Sequence, residues 1–502
     1  MTSIRNTIKS VNDGLKKGEF SVEEIVAEYH KQIAKENPKL NAYLSVFNKP
    51  KLETRNQELE TNFLSGVPCA VKDNILISGE KCTAASKILK NYIAPYDATV
   101  ISNLKQAGAV FLGKTNLDEF AMGATGENSA FGPTLNPHDH TRVAGGSSAG
   151  SAAAVASNLA VYALGSDTGG SIRAPASWCG AVGLKPTYGL VSRHGLIAMA
   201  SSLDQIGPIT KTVEDAAIVL NAIAGHDPMD STSVNPEWDL PDYTANLNKP
   251  IAGLKVAVPK DFFSVPSGSA SVATSAKEAA LAKEGRGLDS QVNNLAQAAI
   301  AKLESLGAHI DQVSLPMVEY AIATYYIIVS SEISANLARY DGIRYGYSTS
   351  KAENLLETYL KSRAEGFGAE VKRRVMLGTY ALSAGYYDAY YLKAQKVRSL
   401  IKRDFEKVFE KYDVIVGPTM PYIAPKLGGL SDPLSAYLAD IYTAPVNLAG
   451  LPAISIPCGF IEPETSNQKL VTRLPVGFQI IGKHFDEAKI LQVAHNLEQS
   501  GK

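Results

Sequence analysis

The sequence predicts an α/β fold with a helical subdomain inserted toward the C-terminal half, and three observations carry that prediction. Short apolar runs of strand type alternate with amphipathic helical patterns as far as Val258. Residues 317–412 then read as helices joined only by loops. Strand-type runs return at Val414 to Val416, Ala453 to Ile456 and Val476 to Ile481, so the C-terminal part is expected to rejoin the first sheet. The fold class is therefore α/β, a β-sheet core flanked by helices.

Composition bounds the function. The chain has 502 residues, 45% hydrophobic and 20% charged, with 49 basic against 50 acidic side chains. This is the make-up of an ordinary globular enzyme able to bury a large core. No whole-chain basic field points to nucleic acid, which leaves room for RNA held by another subunit or by a local patch. Cys69, Cys82, Cys179 and Cys458 are scattered, with no CxxC pair, and are read as free thiols in a reducing compartment. The N-terminal residues lack the apolar core of a signal peptide, and no apolar run reaches membrane-spanning length. A cytoplasmic protein without membrane contact is expected.

In chain order, residues 2–37 read as two helices, the second opening on a Ser21/Glu24 capping box. A strand at Tyr43 to Phe47 and a polar helix closing near Gly66 follow. Val67 to Ile75 is an apolar run interrupted by charge, so Lys72 is either buried or a surface lysine at a strand end. Asp97 to Ala107 reads as a capped helix and Ala109 to Leu112 as a strand. From Gly123 to Val143, glycines and prolines make a long irregular segment without helix or strand pattern, a kind of loop that is usually functional or disordered. Leu159 to Leu164 reads as a buried strand, Ser171 to Ser177 as a possible short helix, Val182 to Ser201 as turns, Thr212 to Ala224 as a helix and Leu254 to Val258 as a strand. Residues 263–287, rich in Ser, Ala, Lys and Glu, read as a surface insertion. A helix at Leu288 to Leu306 and a strand at His309 to Leu315 lead into the helical subdomain, and a helix at Asp486 to Gln499 closes the chain.

The candidate active site is Ala144 to Arg173, AGGSSAGSAAAVASNLAVYALGSDTGGSIR, which holds two glycine- and serine-rich turns. Serines beside glycines let backbone and hydroxyl groups approach a ligand closely, and free N–H groups at such turns can hold a developing negative charge. Gly146 to Gly150 matches GxSxG, which in an α/β-hydrolase would make Ser148 the nucleophile, but no strand pattern precedes it. The Lys-Ser/Thr pair of a phosphate loop is absent. The eight histidines show neither HExxH nor zinc spacing, so a metal centre is not expected. With no histidine placed as a base, a lysine becomes attractive, since burial and nearby positive charge lower its pKa.

Lys72 in AVKDN, Ser147 in GGSSAGS and Ser171 in DTGGSIR together resemble the amidase signature family, whose catalytic set is Lys, cis-Ser and Ser. The resemblance extends through KPTYGLVSRHG, SSLDQIGP, DGIRYG, GYYDAYY, VGPT and PVNLAGLP. Within the family these segments are similar to the glutaminase subunits of tRNA-dependent amidotransferases. The resemblance implies one amidase-like domain over residues 1–502, with its signature core at 67–210 and a mixed sheet flanked by helices.

It further implies that Ser171 attacks the carboxamide of glutamine and that Ser147 relays the proton to neutral Lys72. Backbone N–H groups of Thr168, Gly169, Gly170 and Ser171 would form the oxyanion hole. Tyr325, Arg374 and Asp440 are the implied substrate-binding residues, an arginine and an acid suiting the α-carboxylate and α-amine of free glutamine. No cofactor is implied in this chain. ATP and Mg²⁺ belong to a partner in a heterotrimer with B and C subunits, where Glu-tRNA(Gln) becomes Gln-tRNA(Gln). A stand-alone amidase acting on another small amide is the alternative, and a non-catalytic scaffold protein is a rival of another class. Two departures from the family pattern stand out: alanine at position 149, which should be harmless unless that position needs positive φ, and the long 263–287 segment.

Overall fold

The computed structural model describes residues 6–47, 62–235, 239–263, 288–430, 432–462 and 472–501. The polar helix expected before Gly66 and the 263–287 insertion fall almost wholly outside these residues. The strands are β1 (Tyr43–Val46), β2 (Pro68–Lys72), β3 (Val110–Thr115), β4 (Leu135–Asn136), β5 (Asp139–Val143), β6 (Tyr162–Asp167), β7 (Val182–Lys185), β8 (Gln205–Thr210), β9 (Lys255–Pro259), β10 (His309–Val313), β11 (Val414–Pro418), β12 (Ala453–Ile461) and β13 (Leu474–Gly482).

Eleven of these strands form one mixed sheet in the order β1-β3-β2-β6-β8-β7-β12-β13-β11-β9-β10. β2 runs parallel to both β3 and β6, whereas β12 pairs antiparallel with β7 and β13. The C-terminal strands thus rejoin the first sheet through Ala453 opposite Lys185.

Side-chain alternation explains why the central strands read as continuous apolar runs. On β11, Val414 and Val416 join one hydrophobic cluster while Ile415 joins the other; on β13, Ile480 and Ile481 divide in the same way. A period of two with both faces covered leaves no polar alternation to read. The second face is covered by the helices Ala321–Asn336, Ala369–Leu382 and Lys393–Phe409. Ala321–Asn336 and Ala369–Leu382 pack closely because Gly378 has no side chain: a Cβ there would lie 1.9 Å from the Ser330 carbonyl oxygen.

The early helices are Ile8–Lys16 and Val22–Leu40, the second opened by the Ser21/Glu24 capping box. Several expectations are corrected. The helix expected from Asp97 is Thr99–Gln106 with no side-chain cap; the Asp97 carboxylate instead accepts from Ser78 N and Lys105 Nζ. The segment expected to be irregular up to Val143 contains the β4–β5 hairpin, which lies outside the large sheet. It is held by polar groups, with Asn136 Nδ2 donating to the carbonyls of Val143 and Trp178, so no apolar period marks it.

The turn-rich segment from Val182 includes β7. SSLDQIGP leads into β8, where Gly207 and Pro208 disguise a strand that pairs with β6. The strand expected at Leu159 to Leu164 is β6, three residues later, which places Asp167 at its end.

Candidate active site

Lys72 is the last residue of β2, and Asp167 is the last residue of its parallel neighbour β6. The site therefore lies at the carboxyl ends of two parallel strands, where adjacent chains diverge and leave a crevice. From β6 the chain turns through Thr168–Ser171 into the short helix Arg173–Cys179. The other serine turn precedes the helix Ala149–Ala156, whose small buried residues let it lie against β2 and β6.

Lys72 is fully buried. Its Nζ lies 2.7 Å from Ser147 Oγ, 2.9 Å from Ser148 Oγ, 2.9 Å from Ser166 Oγ and 3.2 Å from the Ser166 carbonyl oxygen. Asn74 Nδ2 donates to the same Ser166 Oγ at 3.0 Å. Burial lowers the Lys72 pKa to about 7, against the opposing pull of Asp118, Asp167 and Asp204. A large share of Lys72 is therefore an amine near neutral pH, the form that can accept a proton.

The Gly146–Ser147 peptide is cis. Its turn is pinned by Gly145 N and Gly146 N donating to the carbonyls of Thr125 and Ala124, and by Asp118 N donating to the Ser147 carbonyl. The Asp118 carboxylate accepts from the N–H groups of Gly126 and Asn128, while burial raises its pKa to about 6. Ala149 opens a helix with ordinary backbone and is not among the positive-φ residues, so the departure at this position leaves the turn intact.

Ser171 retains 8% exposure, and its hydroxyl has no hydrogen-bond partner among the described residues. Its carbonyl accepts from Ser148 N at 3.1 Å, so the two serine turns are joined. Gly170 N donates to Asp167 Oδ1 at 2.8 Å. Of the four N–H groups expected to form an oxyanion hole, that of Gly170 is thus already engaged. Those of Thr168, Gly169 and Ser171 have no acceptor among the described residues. Thr168 is anchored by its hydroxyl to Asp204 at 2.7 Å.

Tyr325, Arg374 and Asp440 are all buried. Tyr325 lies against Gly169, where a Cβ would come within 2.4 Å of the Tyr325 hydroxyl oxygen. Asp440 accepts from Tyr326 O–H at 2.9 Å, and burial pushes its pKa up to about 7. Arg374 is packed against the rings of Tyr326 and Tyr437. A cavity of 260 Å³ reaches Arg374 and is walled by the 123–128 loop, the start of helix Ala369–Leu382, and Gly428, Leu430, Pro433, Ala436 and Tyr437; Ser171 and Asp440 are not among its lining residues.

Sequence reasoning missed Asn74, Ser166, Asp118, Asp167 and Arg173. Asp167 and Arg173 were legible in principle, as an acid and a base flanking TGGSI. Ser148 is fully buried between Lys72 and Ser166, out of reach as a nucleophile; β5 precedes its helix but lies outside the main sheet. All four cysteines are free. No described helix is long and apolar enough to cross a membrane.

The fold and motifs are shared with known proteins. The A subunit of glutamyl-tRNA(Gln) amidotransferase from Caldanaerobacter subterraneus subsp. tengcongensis is 55% identical over 503 residues, covering 99% of this chain and 96% of that protein. Its counterpart from Geobacillus kaustophilus is 54% identical, covering 100% and 98%. The crystal structure of the Thermotoga maritima counterpart superposes with a TM-score of 0.79 at 42% identity, covering 99% of this chain and 96% of that one. The sequence model of the Amidase family matches residues 24–288 and 279–491, and the chain belongs to that family.

Proposed function

We propose that this chain is the glutamine-hydrolysing A subunit of a tRNA-dependent amidotransferase, working through Lys72, Ser147 and Ser171. The observation that carries the chemistry is the 2.7 Å contact between buried Lys72 and Ser147. Identity above 50% to the A subunits of two glutamyl-tRNA(Gln) amidotransferases, over nearly the whole chain, supports the biological role.

Counting protons gives the contact its direction. A neutral lysine has two N–H bonds and one lone pair. The Ser166 carbonyl can only accept, and Ser148 Oγ, which donates its own proton to that carbonyl at 3.2 Å, accepts from Lys72. Ser166 Oγ already receives Asn74 and offers a second acceptor site. With both amine protons directed toward Ser148 and Ser166, the lone pair is left for the Ser147 hydroxyl.

Ser147 then passes its proton to Lys72 while taking one from Ser171, whose oxygen attacks the glutamine carboxamide carbon. The N–H groups of Gly169 and Ser171, with that of Thr168, stabilise the oxyanion; one such donor is worth roughly 3 kcal/mol. The proton returns from Lys72 through Ser147 to the departing ammonia, leaving a glutamyl ester on Ser171 that water hydrolyses.

Arg374 takes the α-carboxylate and Asp440 the α-ammonium, with Tyr325 closing the pocket over Gly169. Ammonia passes to B and C subunits in the cytoplasm, where ATP and Mg²⁺ at the partner drive conversion of Glu-tRNA(Gln) to Gln-tRNA(Gln). The test is to combine the chain with B and C subunits and supply glutamine, ATP, Mg²⁺ and Glu-tRNA(Gln). Gln-tRNA(Gln) should form with the parent chain and not with Ser171→Ala. Faster turnover of unrelated amides by the chain alone would favour a stand-alone amidase.

A further inference from the structure

Arg374 is only partly satisfied by the protein. Its side chain is 4% exposed, and its Nε donates to Glu370 Oε1 at 2.7 Å. Its two terminal nitrogens have no hydrogen-bond partner among the described residues, although the guanidinium lies over the Tyr326 and Tyr437 rings and the residue lines the 260 Å³ cavity. A guanidinium bound through Nε alone keeps its Nη1–Nη2 edge for a planar anion.

Glu370 holds more than Arg374. Its Oε1 also accepts from Tyr437 O–H at 2.9 Å, and its Oε2 is paired with Arg373. The Tyr437 ring stacks on Tyr326 with centroids 3.9 Å apart, and Tyr326 O–H reaches Asp440. One continuous chain of contacts therefore runs from Arg374 through Glu370, Tyr437 and Tyr326 to Asp440. The spacing of Glu370 and Arg374 by four along helix Ala369–Leu382 puts both on one face. The charges also balance usefully: Arg373 offsets Glu370, so the charge of Arg374 remains available to a ligand.

We propose that Glu370 and Tyr437 are positioning residues that fix the guanidinium plane of Arg374 and its separation from Asp440, and so select a free α-amino acid as the amide donor. This rests on the glutamine reading above. Glu370 grips the rear of Arg374, while the stacked tyrosines act as a rigid spacer between the cation and the acid. Neither residue touches the reacting carboxamide. Loss of either is therefore expected to weaken binding of glutamine in ground and transition states alike, raising KM with little change in kcat.

The test is steady-state glutamine hydrolysis by the full chain assembled with its B and C subunits, comparing the parent with Arg374→Ala, Glu370→Gln and Tyr437→Phe. Tyr437→Phe keeps the ring stack and removes only the hydroxyl, so it separates positioning from packing. Expected are KM increases of about tenfold for Glu370→Gln and several-fold for Tyr437→Phe, with kcat held within about twofold. Glu370→Asp should recover part of the lost affinity. If Arg374→Ala raises KM while both other variants match the parent, the positioning role is overturned and the glutamine reading stands. If Arg374→Ala also leaves KM unchanged, Arg374 does not hold the α-carboxylate and the positioning role falls with it, whereas absence of glutamine hydrolysis by the parent complex is the result that sinks the glutamine reading. A fall in kcat at constant KM in Glu370→Gln or Tyr437→Phe would likewise overturn the positioning role.

Discussion

Asp167 and Arg173 form a fully buried two-pronged ion pair across the base of the Ser171 turn, with Arg173 Nε and Nη2 each 3.1 Å from a carboxylate oxygen of Asp167. Asp167 also accepts from Gly170 N and Ile172 N, so both flanks of Ser171 hang from one carboxylate. Arg173 continues to Gln479 on β13 and to Asn447, tying the turn to the C-terminal strands. Burial alone would raise the Asp167 pKa, but Arg173 overrides it and holds the carboxyl well below the usual range.

Arg173→Met should therefore leave Asp167 as an unpaired buried charge and destabilise the protein by about 3–5 kcal/mol. Denaturant titration at neutral pH measures this, and an unchanged midpoint would show that the pair does not hold the turn. The sign with pH follows from the depressed pKa. The contribution of Asp167 is fully present above the unfolded carboxylate pKa and is lost only as pH falls through the lower folded value.

Lys72 gives a second prediction. Its pKa of about 7 makes the reactive amine dominant only above neutrality, so glutamine hydrolysis should rise with pH through that value. Lys72→Ala should lower kcat roughly 10²- to 10⁴-fold. Lys72→Arg should do the same, because an arginine stays protonated across this range. A Lys72→Arg enzyme with parental kcat and an unshifted profile would rule out Lys72 as the base.

The approach of Tyr325 to Gly169 gives a third. Alanine at 169 would place a methyl group 2.4 Å from the Tyr325 hydroxyl oxygen, in a buried pocket with little room to yield. Gly169→Ala should depress kcat/KM at least tenfold, since the same residue carries an N–H assigned to the oxyanion. The effect should be strongly non-additive with Tyr325→Ala, which removes the clash. Additivity in that double-mutant cycle would mean that Gly169 matters for its backbone alone.

The site residues that sequence made legible are marked in two ways. Ser147 and Ser171 stand among glycines and other small residues, where backbone can come close, whereas Lys72 is marked as a charge inside the apolar run Val67 to Ile75. Their supports leave little mark. Ser166 lies in an apolar strand and is indistinguishable by pattern from a packing serine, yet it receives both Lys72 and Asn74.

Strands β7 and β8 were hidden for the opposite reason. Gly207 and Pro208 are turn residues by propensity, and only pairing with β6 and β7 makes them a central strand. Interior strands such as β11, between β13 and β9, were legible because apolar burial on both faces is an unbroken signal. Long-range ties such as Arg173 to Gln479, 306 residues apart, have no local signature at all.

Asp440 supplies the last prediction. Burial pushes its pKa up to about 7, so near neutrality part of the free enzyme carries a protonated carboxyl unable to pair with an ammonium group. Since kcat/KM reports the free enzyme, its rise with pH should require deprotonation of both Lys72 and Asp440. On the proposed pairing, the ammonium of bound glutamine would hold Asp440 ionised, so kcat should lose the Asp440 step and keep that of Lys72. In Asp440→Asn the acid limb of log kcat/KM should become shallower by about one unit and its plateau lower, while the kcat profile keeps its midpoint. Parallel acid limbs in parent and variant would show that Asp440 does not receive the substrate amine.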